Sequence, residues 1–324
     1  MEFICFYLVS ISIGRINMQP KSTTVHELYI EELSQKIIVF DESRQYTGSF
    51  KYRAAWNLVN NVNAPMFIAA SSGNFGQALA FACQQKKIPC KIIMPTTSAQ
   101  VKIDGVRGFG AEVVFVDTKK QSRAQKVAEV AQTFPNAYIA SAYDCDWIIN
   151  GNASLGFDIA EKYPDLQRLV VPIGGGGLSS GIISGLCKKG CLTEVWGAEP
   201  LLANDAARSL RAGVRLSNEG EPQTIADGAR THSTGERNWR ILKEGLKGII
   251  EVDEFWIEKA CQLYATYNIR VEPTGALSLG GLLQEQFQHR TENIYFSVGV
   301  VVSGGNVDDK IYDDILSKEL TFQS

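Results

Sequence analysis

No Cys-x-x-Cys pair occurs in the chain, although it holds seven cysteines. Thiols scattered like Cys5, Cys83, Cys90, Cys145, Cys187, Cys191 and Cys261 suggest neither a disulfide framework nor a zinc site; they fit a reducing, cytoplasmic setting. Histidine is scarce: His26, His232 and His289 stand far apart without ligand spacing, which argues against a histidine-held zinc. There is no Lys/Arg block and the formal net charge is −3, so neither nucleic acid nor an anionic membrane surface is an expected partner. The apolar opening stretch Phe3–Ile13 is too short to span a bilayer. It also lacks the basic start and small-residue cleavage site of a secretory signal, since Glu2 is the only charge before Arg15. Residues 1–17 are therefore expected to be an upstream extension, with Met18 the start of the folded part. What remains is ordinary: 45% hydrophobic and 21% charged residues in 324, enough for one large globular domain or two smaller ones.

From Met66 onward, short β-branched runs alternate with amphipathic stretches. Strands are expected at Phe67–Ala70, Lys91–Met94, Glu112–Val116 and Tyr138–Ala140, with helices at Phe75–Gln85, Ala99–Phe109 and Gln121–Thr133 between them. A second series follows: helix Asn152–Lys162, strand Leu169–Ile173, helix Leu178–Lys188, strand Glu194–Ala198. Helices near Glu254–Tyr267 and Thr274–Gln286, a strand Ile294–Val302 and a helix from Val307 close the chain. Such alternation predicts an α/β fold with two open, mostly parallel twisted sheets flanked by helices. We expect residues 66–144 to form a small domain, and 18–65 together with 145–324 a large one, with the ligand in the cleft between them. The polar, glycine-containing stretch Arg211–Arg240 reads as a long functional loop.

Chemistry concentrates in Thr47–Arg53, TGSFKYR. A desolvated lysine amine condenses with aldehydes and other carbonyl compounds, and Lys51 has small and apolar neighbours, unlike a solvated surface lysine. Gly174–Gly177 (GGGG) follows the run LVVPI and opens a helix. Consecutive amides and the positive end of the helix dipole can there cradle a phosphate, and a merely tight turn needs fewer glycines. A dinucleotide fingerprint would need G-x-G-x-x-G with an acid about twenty residues on; only Glu194 and Glu199 lie near that spacing. Ser71–Asn74 (SSGN) has the same strand–loop–helix setting and suits a substrate carboxylate, though Ser and Asn are equally good helix caps. Ser303–Asn306 (SGGN) ends an apolar strand, where open α/β sheets bind ligands; a turn with Asn306 capping the last helix reads as well. Converging, these stretches suit a phosphorylated aromatic aldehyde, pyridoxal phosphate, held on Lys51. Glu199 and Asp205 offer hard oxygen ligands to a divalent cation, though an Asp after a strand is more often a cap.

In order, TGSFKYRAA, SSGNFGQALAFA, GGGGLSSGI, GAEP, TIADGA, EPTGALSLGGLL and VVSGGNVD span Gln45 to Asp308. They resemble the fold-type-II pyridoxal phosphate enzymes of the tryptophan-synthase-β superfamily, closest to its serine racemase and serine/threonine dehydratase branch. The resemblance implies that Lys51 is the Schiff-base lysine and the base on one face of the substrate. It implies that Asn74 meets the ring hydroxyl, that Gly174, Gly175, Gly176, Gly177 and the backbone of Leu178 hold the phosphate, and that Ser303 faces the pyridine nitrogen. Ser71, Ser72 and Asn74 would take the substrate carboxylate, with Ser72 reprotonating the opposite face. EPLLAND resembles the branch's cation loop, implying Mg2+ or Ca2+ on the side chains of Glu199 and Asp205 and the carbonyl of Ala203. A homodimer is implied too. Phe75 stands where the family usually has His, and Gly151–Ser154 reads GNAS where it usually has GQGT; both border the substrate loops and leave the amino acid open. Asp41 replaces a usual Lys, which bears on any nucleotide effect.

The expected function is a cytoplasmic ammonia-lyase, a racemase, or both, acting on a small β-hydroxy amino acid such as L-serine or L-threonine. The rivals are a β-replacement enzyme of the cysteine synthase type and a non-catalytic protein that keeps the fold.

Overall fold

The computed structural model describes residues 18–98, 100–289 and 296–320. The chain opens with an antiparallel pair, β1 (Thr24–Ile30) and β2 (Gln35–Asp41), followed by helix α1 (Lys51–Asn61). Next come β3 (Phe67–Ala70), α2 (Asn74–Lys86), β4 (Cys90–Pro95), α3 (Gln100–Gly108), β5 (Glu112–Val116), α4 (Arg123–Thr133) and β6 (Tyr138–Ile139). Then α5 (Asp146–Lys162), β7 (Arg168–Pro172), α6 (Gly177–Lys188), β8 (Glu194–Pro200), α7 (Asp205–Ala212), α8 (Glu236–Gly245) and β9 (Leu246–Val252) follow. The series ends with α9 (Glu254–Thr266), α10 (Pro273–His289), β10 (Val298–Val302) and α11 (Asp309–Ser317).

Two sheets result. The smaller has the order β5-β4-β3-β6 and is parallel throughout. In the larger, β1-β2-β10-β7-β8-β9, only the β1–β2 pair is antiparallel. Parallel strands are covered on both faces and so carry unbroken apolar runs; accordingly every residue of β7 (RLVVP) and β10 (VGVVV) is buried. Edge strand β1 instead leaves alternate side chains outside, including Tyr29.

The sequence-based boundaries move where side chains cap. Ser122 accepts from the Gln125 amide and forms a capping box, so α4 starts at Arg123. Asp308 accepts from the Lys310 and Ile311 amides, so the last helix starts at Asp309 and not at Val307. The final strand begins at Val298; the first two residues of its expected span, 294 and 295, lie outside the described residues. Strands β1, β2 and β9 and helices α7 and α8 were not expected. The stretch read as a loop, Arg211–Arg240, opens on the last two residues of α7 and is irregular from Gly213 until α8 begins at Glu236, apart from a short 3-10 turn at Asp227–Ala229. Helix α8 starts there because the Asp144 carboxylate accepts from the amides of Glu236 and Arg237, 3.1 and 3.0 Å away. That is a cap supplied from 92 residues upstream.

Each sheet carries its own core. Ile37, Val170, Val300 and the inner faces of α9 and α10 fill one side of the larger sheet, and Phe40, Leu169, Val301, α5 and α6 the other. Tyr52, Ala55 and Leu58 of α1 pack with Phe67, Leu79 and Ile92 of the smaller sheet and its first helix. Helix α1 thus leaves one sheet and buries its apolar stripe against the other, which puts Lys51 at the junction.

Candidate active site

Lys51 is the first residue of α1, and its position is set by stitching across the chain. The Phe50 amide donates to Ser303 O at 3.0 Å, Gly305 N to Gly48 O at 3.0 Å, and Asn306 Nδ2 to Thr47 O at 2.8 Å. Ser49 and Gly304 form an isolated bridge. The TGSFK and SGGN stretches are therefore one structural unit. Lys51 Nζ donates to Ala142 O at 3.0 Å and lies 4.9 Å from the centre of the Phe50 ring. Burial pushes its amine down to about 8, with Glu272 pulling the other way. An ordinary lysine is not a nucleophile near neutrality; this one is much closer to losing its proton.

Lys51, Ser71, Ser72, Asn74, Gly174, Gly175, Gly176, Gly177, Leu178 and Ser303 all line one cavity of about 1380 Å³. The β3–α2 loop supplies Ser71 and Ser72, and the first residue of α2 is Asn74. Ser71 Oγ accepts from the Gly76 and Gly73 amides at 3.0 and 3.3 Å, so it shapes this loop as well as lining the cavity. The Asn74 amide is held from both sides: Nδ2 donates to Glu272, and Oδ1 accepts from Asn306.

The β7–α6 loop carries the glycines. Gly176 has φ of +84°, the left-handed region that glycine adopts without strain, and a Cβ there would meet Leu242 Cδ1 at 2.9 Å. Gly175 and Gly177 face Tyr143, whose ring a Cβ on Gly175 would overlap. Carbonyls of this loop are already partnered within the protein: Gly175 O accepts from Asn238 Nδ2 at 2.7 Å and from Gly235 N at 3.0 Å, and Gly177 O from Asn152 Nδ2 at 3.0 Å. The first amides of α6, which no helix can satisfy internally, are thus available to an anion.

Ser303 ends β10. Its hydroxyl is buried and has no partner among the described residues, and the residue lines the cavity, an arrangement that native proteins rarely leave without a ligand or water.

The structure separates the cation candidates from this cleft. Glu199 is the next-to-last residue of β8, and its two oxygens accept from the amides of Ala206 and Ala207, at 3.0 and 2.9 Å, which caps α7. Asp205 accepts from Asn218 Nδ2 at 2.9 Å and Thr234 N at 2.8 Å, tying the 213–235 segment to the large sheet. Burial pushes both carboxyls up, Asp205 to about 6, and Glu199 is raised further by Asp205. The Ala203 carbonyl lies on the 3-10 turn between them. Among the described residues no group of three or more His, Cys, Asp or Glu side chains could share a cation, so carbonyls or water would have to complete any site here.

Two cleft residues escaped the sequence reading. Glu272 lines the cavity and is held against Asn74; the signal available was its place in EPTG, directly before a helix. Tyr143 packs on the glycine loop, and nothing local in SAYDCD marks it.

A lysine with a lowered pKa, a buried hydroxyl unpartnered among the described residues and a glycine loop opening a helix meet between two mostly parallel sheets, an α/β enzyme cleft of a kind that suits a phosphorylated carbonyl compound. Such a compound fits the residues present. The family model described as pyridoxal-phosphate dependent enzyme matches residues 17–304, and the chain belongs to that family. It is 31% identical to a serine racemase of Dictyostelium discoideum over 302 residues, covering 91% of each chain. It is also 31% identical to an L-threo-3-hydroxyaspartate ammonia-lyase of Saccharomyces cerevisiae over 309 residues, 93% of this chain and 92% of that one. The solved structure of maize serine racemase superposes with a TM-score of 0.86 at 28% identity, covering 93% of both chains.

Proposed function

We propose that the protein is a pyridoxal-phosphate-dependent ammonia-lyase, amino-acid racemase or both, acting on a small β-hydroxy amino acid. The observation that carries this reading is the meeting, in one cavity, of the Lys51 amine, the unpartnered Ser303 hydroxyl and the Gly174–Gly177 loop. When bound, the cofactor supplies an aldehyde that condenses with amines and a ring that withdraws electrons from the substrate α-carbon. Lys51 would anchor it, the amides from Gly174 to Leu178 its phosphate, Asn74 its ring hydroxyl and Ser303 its ring nitrogen. A serine hydroxyl does not hold a proton on that nitrogen as a carboxylate would, which favours elimination or proton exchange over transamination.

The chain's own groups then divide the work. Ser71, Ser72, Asn74 and the first amides of α2 hold the substrate carboxylate at the positive end of the helix. Lys51 Nζ removes the α-proton. Departure of the β-hydroxyl leads to a keto acid and ammonia; delivery of a proton by Ser72 Oγ to the other face gives the D-amino acid. Elimination needs one competent base and a leaving group, so it ranks at least equal to racemisation.

Within the same reading, residues 66–144 are the small domain and 18–65 with 145–324 the large one, supported by the origin of the two sheets' strands. Glu199, Asp205 and the Ala203 carbonyl hold Mg2+ or Ca2+, whose charge would relieve two buried carboxyls that burial pushes up. The protein is cytoplasmic, which unpaired thiols among the described cysteines support, and a homodimer, as the family resemblance implies. No described helix is long and apolar enough to cross a membrane.

The test follows keto acid, ammonia and product chirality together on purified, cofactor-loaded protein given a panel of small β-hydroxy amino acids that includes L-serine and L-threonine. Ser72→Ala is expected to abolish the D-product and spare the keto acid. Equal loss of both would refute the role of Ser72, and absence of both products in the unaltered protein would refute the function.

A further inference from the structure

Glu272 is a buried carboxyl group in the cleft that the reaction above does not use. Its backbone is pinned: Glu272 N donates to Gly304 O at 3.1 Å, and its carbonyl accepts from Gly275 N at 2.7 Å and Ala276 N at 3.1 Å. Position 304 must be glycine for the side chain to lie where it does, because a Cβ there would stand 2.7 Å from Glu272 Oε1. From this seat both carboxylate oxygens accept from Asn74 Nδ2, at 2.8 and 3.0 Å. On the other side Asn306 Nδ2 donates to Asn74 Oδ1 at 2.8 Å while also donating to Thr47 O at 2.8 Å.

A carboxylate can only accept, and an amide nitrogen can only donate. Both neighbours therefore demand the same orientation of Asn74: nitrogen toward Glu272, oxygen toward Asn306. Turning the amide over would set oxygen against oxygen on one side and nitrogen against nitrogen on the other. The charged groups facing Glu272 are Asp227 on the 3-10 turn, Lys102 on α3 and Lys51 on α1. Burial first, then Asp227, outweighs Asn74 and the two cations, and pushes the Glu272 carboxyl up to about 7. The group that dictates the Asn74 orientation thus has its pKa brought close to neutrality.

We infer that Glu272 is a positioning residue: it holds the Asn74 amide in one orientation toward the cofactor ring, and its gain or loss of a proton reaches the cofactor through that amide. The inference rests on the cofactor reading above. Its test is a pH titration of the visible absorption of holoprotein, for the unaltered chain, Glu272→Gln and Asn74→Ala, each checked for folding by a thermal melt. The unaltered band is expected to shift with a midpoint near pH 7. Glu272→Gln, which keeps the shape and removes the titrating group, should lose that transition; Asn74→Ala, which keeps the titrating group and removes the relay, should lose it too. A coloured protein whose band shows no transition, or keeps it in either folded variant, overturns the role of Glu272 alone. An unaltered protein that takes up no colour sinks the cofactor reading and this inference with it.

Discussion

A lysine amine placed in a low-dielectric pocket has to give up charge, and Lys51 shows how far that goes. Its pKa falls from 10.5 to about 8, with burial the leading cause. In the cofactor-free protein the folded state therefore binds fewer protons than the unfolded chain between those two values, and stability rises with pH across that window. Below about 8 both states are protonated and the penalty stands in full, at most about 3 kcal/mol by the usual 1.36 kcal/mol per unit. Urea unfolding of cofactor-free protein at a series of pH values should show this gain from pH 8 toward 10.5, and Lys51→Met should flatten it. A slope unchanged in Lys51→Met would mean that the amine is already solvated and is no better a nucleophile than its neighbours.

Among elements, the β7–α6 loop ties the cleft together, because its glycines serve two ends. Gly176 has a backbone conformation that other residues avoid, whereas Gly175 is small because the Tyr143 ring lies on it. Gly175→Ala should cost about 1–3 kcal/mol through overpacking. In a Tyr143→Ala background the same change should cost much less, since the overlapping ring has gone. Denaturant midpoints of the four proteins give the coupling directly, and strictly additive costs would show that the two residues do not constrain each other. The contact also explains why sequence alone credited all four glycines to a phosphate: the partner of Gly175 lies 32 positions upstream with no local sign of it. The same limit decided which elements were legible. The βα series from Phe67 to Glu194 could be read because buried parallel strands announce themselves as apolar runs flanked by glycine or polar turns. Helix α8 (ERNWRILKEG) has a strong amphipathic face but starts on a cap lent by Asp144, and β1 and β2 are edge and near-edge strands with mixed polarity.

At the scale of the whole molecule, the cleft exists because one chain builds two cores and lets α1 run from one to the other. Every residue assigned to the cofactor lines one cavity and lay in a stretch whose residue types already hinted at chemistry, so these candidates could be picked out before any fold was known. Glu272 could not, because its meaning lies in Asn74, 198 positions away, and no spacing rule reaches that far. A ligand bridging Lys51 on α1, the β3–α2 loop, the β7–α6 loop and the end of β10 touches both sheets, so it should stabilise the fold as a unit. At a free cofactor concentration a hundredfold above its dissociation constant, linkage gives about 2.7 kcal/mol, which for a chain of this size is a rise in Tm of roughly 5 °C. Scanning calorimetry with increasing pyridoxal phosphate should show one transition moving upward with concentration. Lys51→Ala, which keeps the glycine loop and Ser303 but removes the amine, should need far more cofactor for the same rise. If both proteins respond at the same concentrations, the cofactor gains nothing from Lys51, and the convergence of these four segments on that amine would need another explanation.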